Sequence, residues 1–274
     1  MNIHATDRID RSPAREFRLR CREGLHREPT CGHALGFVQA NLVILPRDLA
    51  FDFLLFCQRN PKPCPLLEVT EPGDPEPRGV AAGADLRVDL PLYRVYRDGV
   101  LVEEVTDIRK AWRDDFVAFL LGCSFTFESA LLAAGLGVRQ LEESLPGGGT
   151  KNVPMYRTSI PCRSAGRFAG PLVVSMRPYL PEEAVKAVQV TSRFPGVHGS
   201  PVHLGDPGAI GIKDLAKPDW GDVVTIRPGE IPVFWACGVT PQAAVMESKP
   251  PLAITHAPGH MFVCDLRDDE LAVG

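Results

Sequence analysis

Twenty-six prolines and 25 glycines are spread through 274 residues, and the apolar residues between them fall in short runs. Proline is tolerated only at the ends of helices and the edges of sheets, and glycine weakens the interior of both. The chain is therefore built from short elements joined by rigid turns. Ser12-Pro13 opens a helix that Gly24 stops, with Ala14, Phe17 and Cys21 on one face. A strand over Phe37 to Leu45 follows, then a helix from Pro46 carrying Leu49, Phe53 and Phe56 and closed by Asn60-Pro61. Pro65 to Val69 reads as a short strand.

Alternation of this kind favours a sheet covered by helices. Glu71 to Pro91 is a long loop, and Asp98-Gly99 joins Tyr93 to Arg97 and Val100 to Val105 as a hairpin. Lys110 to Leu121 and Thr126 to Ala134 read as helices broken at Gly122-Cys123-Ser124. Strands are expected at Pro154 to Ile160 and Leu172 to Met176, and a helix from Pro181 to about Arg193. The last 80 residues read as short strands (Val202 to Leu204, Val223 to Ile226, Val233 to Cys237, Met261 to Leu266) and loops, and no internal repeat is evident. The expected class is α/β: a main α/β domain over 1–110 and 195–274, with a smaller inserted α+β domain over 111–194.

Composition narrows the function. With 45% hydrophobic and 23% charged residues the chain is an ordinary globular one. The formal charge of -4 is spread without a dense basic run, which excludes a nucleic-acid face. Asp7, Arg8, Asp10 and Arg11 replace the apolar core of a signal peptide. The longest apolar stretch, Leu42 to Cys57, is broken by Pro46, Arg47, Asp48 and Asp52, so no membrane span is expected. A cytoplasmic protein is the expectation, and self-association into a homo-oligomer stays open. Eight scattered cysteines that never form C-x-x-C read as free thiols.

Four loops mix turn residues with reactive ones. Cys57 to Pro65 carries Arg59, Asn60 and Lys62, which suit a carboxylate or phosphate; the plainer reading is a solvated helix end. In Gly122 to Glu128, Ser124 and the N–H groups of a helix start can hold an anion, with Glu128 as a base. An ordinary helix break gives the same pattern, and Thr126 at the final glycine position of G-x-S-x-G argues against a hydrolase elbow. Thr191 to Gly208 holds Arg193, His198, His203 and Asp206 among glycines and prolines. Acid–base work by one histidine competes there with two structural loop histidines. A divalent metal on His198, His203 and Asp206 is not favoured, because H-x4-H is not a zinc spacing. In the tail, Cys237 is a nucleophile or an inert buried thiol, and Pro258-Gly259 prevents a helix from aligning His256 with His260. Arg157 and Arg177 add two further cations.

Several long strings occur in collinear order: Val38 to Pro46, Cys57 to Glu68, Gly122 to Glu128, Asn152 to Tyr156, Ser175 to Pro178, Ser192 to Pro207, Phe234 to Gln242 and Thr255 to Gly259. Together, over roughly Gly36 to Asp265, they resemble a bacterial family named as hydro-lyases, itself similar to the N-terminal portion of mitochondrial D-glutamate cyclase. The resemblance implies a three-layer main domain, a two-layer smaller one, and carbon–oxygen lyase chemistry such as the dehydration of D-glutamate to 5-oxo-D-proline. That relative carries a further C-terminal domain, whereas this sequence ends at Gly274.

Such a reaction needs a cationic clamp, an acid for the departing oxygen and a base. The expected parts are Arg59, Arg193 and Arg177 on the carboxylate, with Asn60, Lys62 and His256 nearby. His198 or His203 acts as acid or base, Glu128 or Asp206 is the partner, and Ser124 holds the oxyanion. No nucleotide fingerprint appears, so no such cofactor is expected. The competing readings are a non-catalytic sensor of small carboxylates and a metal-dependent hydrolase.

Overall fold

A strand buried along its entire length needs neighbours on both edges and cover on both faces, and β1 (Phe37–Pro46) is such a strand. The computed structural model that shows this describes residues 11–274; the charged opening at Asp7, Arg8 and Asp10 lies outside the described residues. β1 pairs with β5 (Phe116–Gly122), β10 (Ala253–His256) and β11 (Phe262–Arg267). The larger sheet runs β2 (Leu66–Val69), β5, β1, β10, β3 (Tyr93–Arg97), β4 (Val100–Val105), with β11 also on β1. A smaller sheet runs β6 (Met155–Pro161), β7 (Pro171–Tyr179), β9 (Ile231–Ala236), β8 (His203–Leu204). The paired strands of both sheets are antiparallel.

The helices are α1 (Ser12–Arg22), α2 (Arg47–Arg59), α3 (Phe125–Ala133), the single turn α4 (Arg139–Glu142), α5 (Pro181–Ser192) and α6 (Val239–Ser248). Helices and two sheets together give the expected α/β class. Among the described residues no helix is long and apolar enough to cross a membrane, and all eight cysteines are free.

Three expectations need correction. Lys110 to Leu121 is not helical: its apolar run forms β5, buried at every position, and a short apolar run carries no period that separates a buried strand from a buried helix. Residues 239–248 form α6 rather than strand and loop. Its positions from Val239 to Val245 are all buried, so it has no polar face to betray it. Val223 to Ile226 is not a strand. Sheet membership also crosses the boundaries at 110 and 194, since β5 joins the larger sheet while β8 and β9 join the smaller one.

The strand orders reveal an internal repeat that the sequence reading missed. In the first half β1 is followed by α2, β2, β5 and α3, with spatial order β2-β5-β1; in the second, β7 is followed by α5, β8, β9 and α6, with order β8-β9-β7. Short signatures recur in the same sequence: Arg59-Asn60-Pro61 and Arg193-Phe194-Pro195, Gly73-Asp74-Pro75 and Gly205-Asp206-Pro207, then Cys-x-x-Thr-x-Glu from Cys123 to Glu128 and Cys-x-x-Thr-x-Gln from Cys237 to Gln242. The Thr126 hydroxyl accepts the Gln39 N–H of β1 at 3.2 Å, and the Thr240 hydroxyl accepts the Val173 N–H of β7 at 3.0 Å. The match hid behind unequal spacing, because the first half inserts a long loop and the β3–β4 hairpin.

The halves exchange their last helices. Phe127 and Leu131 of α3 pack with Tyr179, Ala184, Ala187 and Trp235 of the second half. Ala244 and Val245 of α6 pack with Val43, Phe53, Phe56 and Phe119 of the first. Each helix starts on its own sheet and lies on the other, so neither core closes without its partner.

The hairpin turn at Asp98 (φ 50°) and Gly99 (φ 78°) lies against the end of α6, where a Cβ on Gly99 would meet the Met246 carbonyl oxygen at 2.6 Å. Gly99→Ala is expected to cost about 2 kcal/mol or more, from strain and collision together. Gly83→Ala has the same strain (φ +79°) and open space, and is expected to cost only about 1 kcal/mol. Denaturant midpoints of the two variants measure the difference.

Candidate functional site

Side chains two apart on a strand share a face, so Ser175, Arg177 and Tyr179 form a row on β7. Arg177 is completely buried. Its guanidinium lies over the rings of Phe127 and Trp235, 5.4 and 5.5 Å from their centroids, and pairs with the Glu128 carboxylate in the first turn of α3. It also donates to the Ser124 hydroxyl at 3.1 Å and faces the Ser175 hydroxyl at 3.4 Å. Glu128 further accepts from the Gln140 amide at 2.7 Å and lies 3.8 Å from the Cys31 thiol.

A buried charge survives only if paired and hydrogen-bonded. Burial still raises the Glu128 carboxyl above its usual range, while Arg177, Gln140 and Cys31 pull it back. Polar atoms of this neighbourhood left without a partner include Arg177 Nε, the Tyr179 hydroxyl and the Gln140 amide oxygen.

His198 stands at the edge of the centre, in left-handed backbone (φ 84°). Its Nδ1 lies 2.8 Å from the Lys62 carbonyl, an acceptor that fixes the proton on Nδ1 and leaves Nε2 as a lone pair with no hydrogen-bond partner. Burial pushes its pKa down to about 4, so the imidazole is neutral at neutral pH.

The second half offers a neutral counterpart. Gln242 replaces Glu128 in the shared signature, and its amide lies 2.9 Å from His256 Nδ1, which also accepts the Leu42 N–H at 3.0 Å. Burial takes the His256 pKa to about 3. Asn41 of β1 donates to the Gly122 carbonyl at 2.9 Å and lies against Gly238 at the start of α6, as Ser175 and Arg177 of β7 lie against the start of α3.

The structure thus brings together Ser124, Glu128, Arg177 and His198, with the backbone of Lys62 beside His198. The Lys62 ammonium is half-buried, which lowers its pKa, and donates to the Ser200 hydroxyl at 3.2 Å. Other expected residues are placed elsewhere. Arg59 is exposed and donates to the Ser164 carbonyl at 2.5 Å; Asn60 is buried and ties the end of α2 to the Arg163 backbone. Arg193 is exposed. His203 contacts the Asp206 carbonyl at 2.7 Å, and the Asp206 carboxylate caps the next turn through the Gly208 N–H at 2.9 Å. These two make a local turn of their own, apart from the buried centre, and His256 belongs to the counterpart in the other half. Among the described residues no three His, Cys, Asp or Glu side chains are arranged to hold a metal.

Cys31, Gln140 and Tyr179 escaped the sequence reading. Strand period could have found Tyr179 from Arg177; nothing local marks Gln140 or Cys31. Also missed is Asp268, which with Gly36, Gln39, Glu128 and Ser129 lines a crevice of about 10 Å³, room for about one water. Burial lifts the Asp268 carboxyl to about 7, against the pull of the Ser129 hydroxyl.

Residues 117–265 match the family model described as D-glutamate cyclase, more than half of the chain. The chain belongs to the D-glutamate cyclase family. Three relatives of this D-glutamate cyclase-family chain carry the name "Putative hydro-lyase": from Geobacillus kaustophilus, 64% identical over 95% of this chain and 97% of the relative; from Stutzerimonas stutzeri, 61% over 96% and 97%; and from Bacillus subtilis, 60% over 94% and 98%. The region matched by the D-glutamate cyclase model contains Ser124, Glu128, Arg177 and His198, whereas Cys31 and Asn41 precede it.

Removing one partner of the buried pair strands the other, so Glu128→Gln is expected to cost roughly 3–5 kcal/mol. The double variant Glu128→Gln/Arg177→Met is expected to recover most of that loss, as read from denaturant unfolding. Asp268 gives a pH signature. Its folded pKa, about 7, exceeds the unfolded value, so the native state binds its proton more tightly. The folded form therefore carries a full penalty above pH 7, relieved as pH falls toward about 4. Asp268→Asn is expected to stabilise by roughly 2–4 kcal/mol at pH 8 and by almost nothing below about pH 4. His198 and His256, with depressed values, act oppositely and lose stability as pH falls below about 6.5; the variant-minus-parent difference removes their contribution.

Proposed function

We propose that this chain is a carbon–oxygen hydro-lyase that closes a small amino dicarboxylate, D-glutamate by the family's description, to its lactam at the Glu128–Arg177 centre. In that reaction the substrate nitrogen attacks its own side-chain carboxyl carbon. A C–N bond forms, a C–O bond breaks, and the departing oxygen leaves as water with protons gained at the site and lost by the nitrogen. The observation that carries the reading is a buried guanidinium joined to one carboxylate whose proton affinity burial has raised.

When a substrate carboxylate shares Arg177, Glu128 loses part of its counter-charge and its pKa rises further, which makes it the acid for the departing oxygen. Arg177 and the Ser124 hydroxyl hold the oxyanion. The lone pair of neutral His198 takes the proton from nitrogen. The C–N bond formed and the C–O bond broken involve no change of oxidation state, and the accompanying proton transfers and charges are assigned to side chains, so the reading calls for no organic cofactor.

Purified full-length chain incubated with D-glutamate, and assayed chromatographically for 5-oxo-D-proline, tests this. Product is expected, with turnover lowered about 100-fold or more in Glu128→Gln and in Arg177→Lys. Absence of product above a protein-free control would discard the cyclase reading.

A further inference from the structure

The Glu128–Arg177 centre is closed. Both residues are buried, and the crevice that reaches Glu128 has room for about one water, so a molecule larger than water enters it only if a wall moves. Helix α3 supplies one wall with Phe125, Glu128 and Ser129, and the loop between α1 and β1 supplies another with Gly32, Ala34 and Gly36. A shift of α3 would break the buried ion pair. The loop is under no such constraint.

Between positions 27 and 36, Thr30 and Cys31 are buried and every other residue is exposed or half-buried. Cys31 is the plug: its thiol lies 3.8 Å from the Glu128 carboxylate. Thr30 is the latch. Its N–H and its hydroxyl donate to the Gly259 carbonyl at 2.7 and 3.0 Å, and the hydroxyl accepts the Met261 N–H at 3.1 Å. The Gln39 amide donates to the Thr30 and His33 carbonyls at 3.2 and 3.0 Å, and the His260 ring bonds to the Arg27 backbone.

The loop is thus held more by hydrogen bonds, which water replaces on opening, than by apolar burial, which water does not replace. Segments held in that way open locally, well below the cost of global unfolding. Gly32 and Gly36 lie in left-handed backbone (φ 77° and 82°), and Ala34 between them is held there as well (φ 46°). Opening relieves the strain at Ala34 while the glycines absorb the turn. We propose that residues 27–36 form a lid, which swings on its glycines to lift Cys31 off Glu128 and admit substrate to the buried centre. That substrate passes here rests on the proposed function, whereas opening is a property of the chain and is measured without turnover.

Alkylation of the full chain by iodoacetamide, followed at each cysteine by peptide mass spectrometry, tests the lid. Cys237 and Cys264 are buried like Cys31, and burial raises all three thiols, with Glu128 raising Cys31 further. In a rigid molecule Cys31 would therefore react no faster than the other two. With a lid it is expected to react at least tenfold faster than both. Thr30→Val removes the hydroxyl latch and keeps the side-chain shape, and is expected to speed Cys31 about another tenfold. Gly99→Ala, which strains the β3–β4 hairpin, is expected to speed Cys264 through global unfolding and to leave Cys31 unchanged. Equal rates at the three cysteines, a Cys31 rate unmoved by Thr30→Val, or a Cys31 rate that rises with Cys264 in Gly99→Ala would each overturn the lid. Fast alkylation of Cys31 that depends on Thr30, in a chain that makes no lactam, would keep the lid and remove the proposed reaction. Lactam made by a chain whose Cys31 reacts no faster than Cys237 would do the reverse.

Discussion

The ion pair between Glu128 and Arg177 joins the two halves of the molecule at their centre. Glu128 belongs to the helix that ends the first half, and Arg177 to the strand that begins the second. Because both groups are removed from water, each depends on the other for charge balance. That requirement fixes where α3 sits on the smaller sheet. The position of α3 in turn places Phe127 beneath the guanidinium, and Ser124 within its reach.

The repeat explains why there is one such centre and not two. Gln39 and Val173 hold equivalent threonines; counting four residues along each strand sets Val43 opposite Arg177 in the alignment of halves, as Gln242 is set opposite Glu128. The second pairing thus has neutral groups at both positions. Changing only one would have left an uncompensated charge in a packed interior, so charge is present at both positions of one pairing and absent from both of the other. The neutral pairing keeps its polar atoms in use through His256 and the Leu42 N–H. The two halves share a frame, while only one of the two equivalent pairings between them is ionised.

Much of the frame was legible in the sequence. The Asp98-Gly99 turn, the helix opened by Pro13 and the helix closed at Asn60-Pro61 follow from backbone limits that hold regardless of context. β5 and α6 were not legible, because both are buried on all sides and periodicity needs a solvent face to register against. Ser124, Glu128, Arg177 and His198, which the fold gathers in one region, stood out in the sequence by residue type. Their neighbours Gln140 and Cys31 come from distant loops with no marker of their own. Arg59 and Arg193 looked equivalent to Arg177 as sequence; only burial separates a cation that water can solvate from one whose charge must be matched within the protein.

The repeated Arg-x-Pro loops show the same asymmetry at closer range. They pack on each other, with the Lys62 carbonyl taken by His198 of the opposite loop and the Lys62 ammonium on Ser200. Gly122 lies so close to the Gly196 carbonyl and Val197 that a side chain there would collide with backbone. That close approach seats the His198 loop against the end of β5, one residue before the Cys123-Ser124 turn that starts α3. Burial keeps this imidazole neutral, and the positive charges of Lys62 and Arg177 lower its proton affinity further. Its Nε2, left without a hydrogen-bond partner, is a cost that the close packing of the two loops must offset.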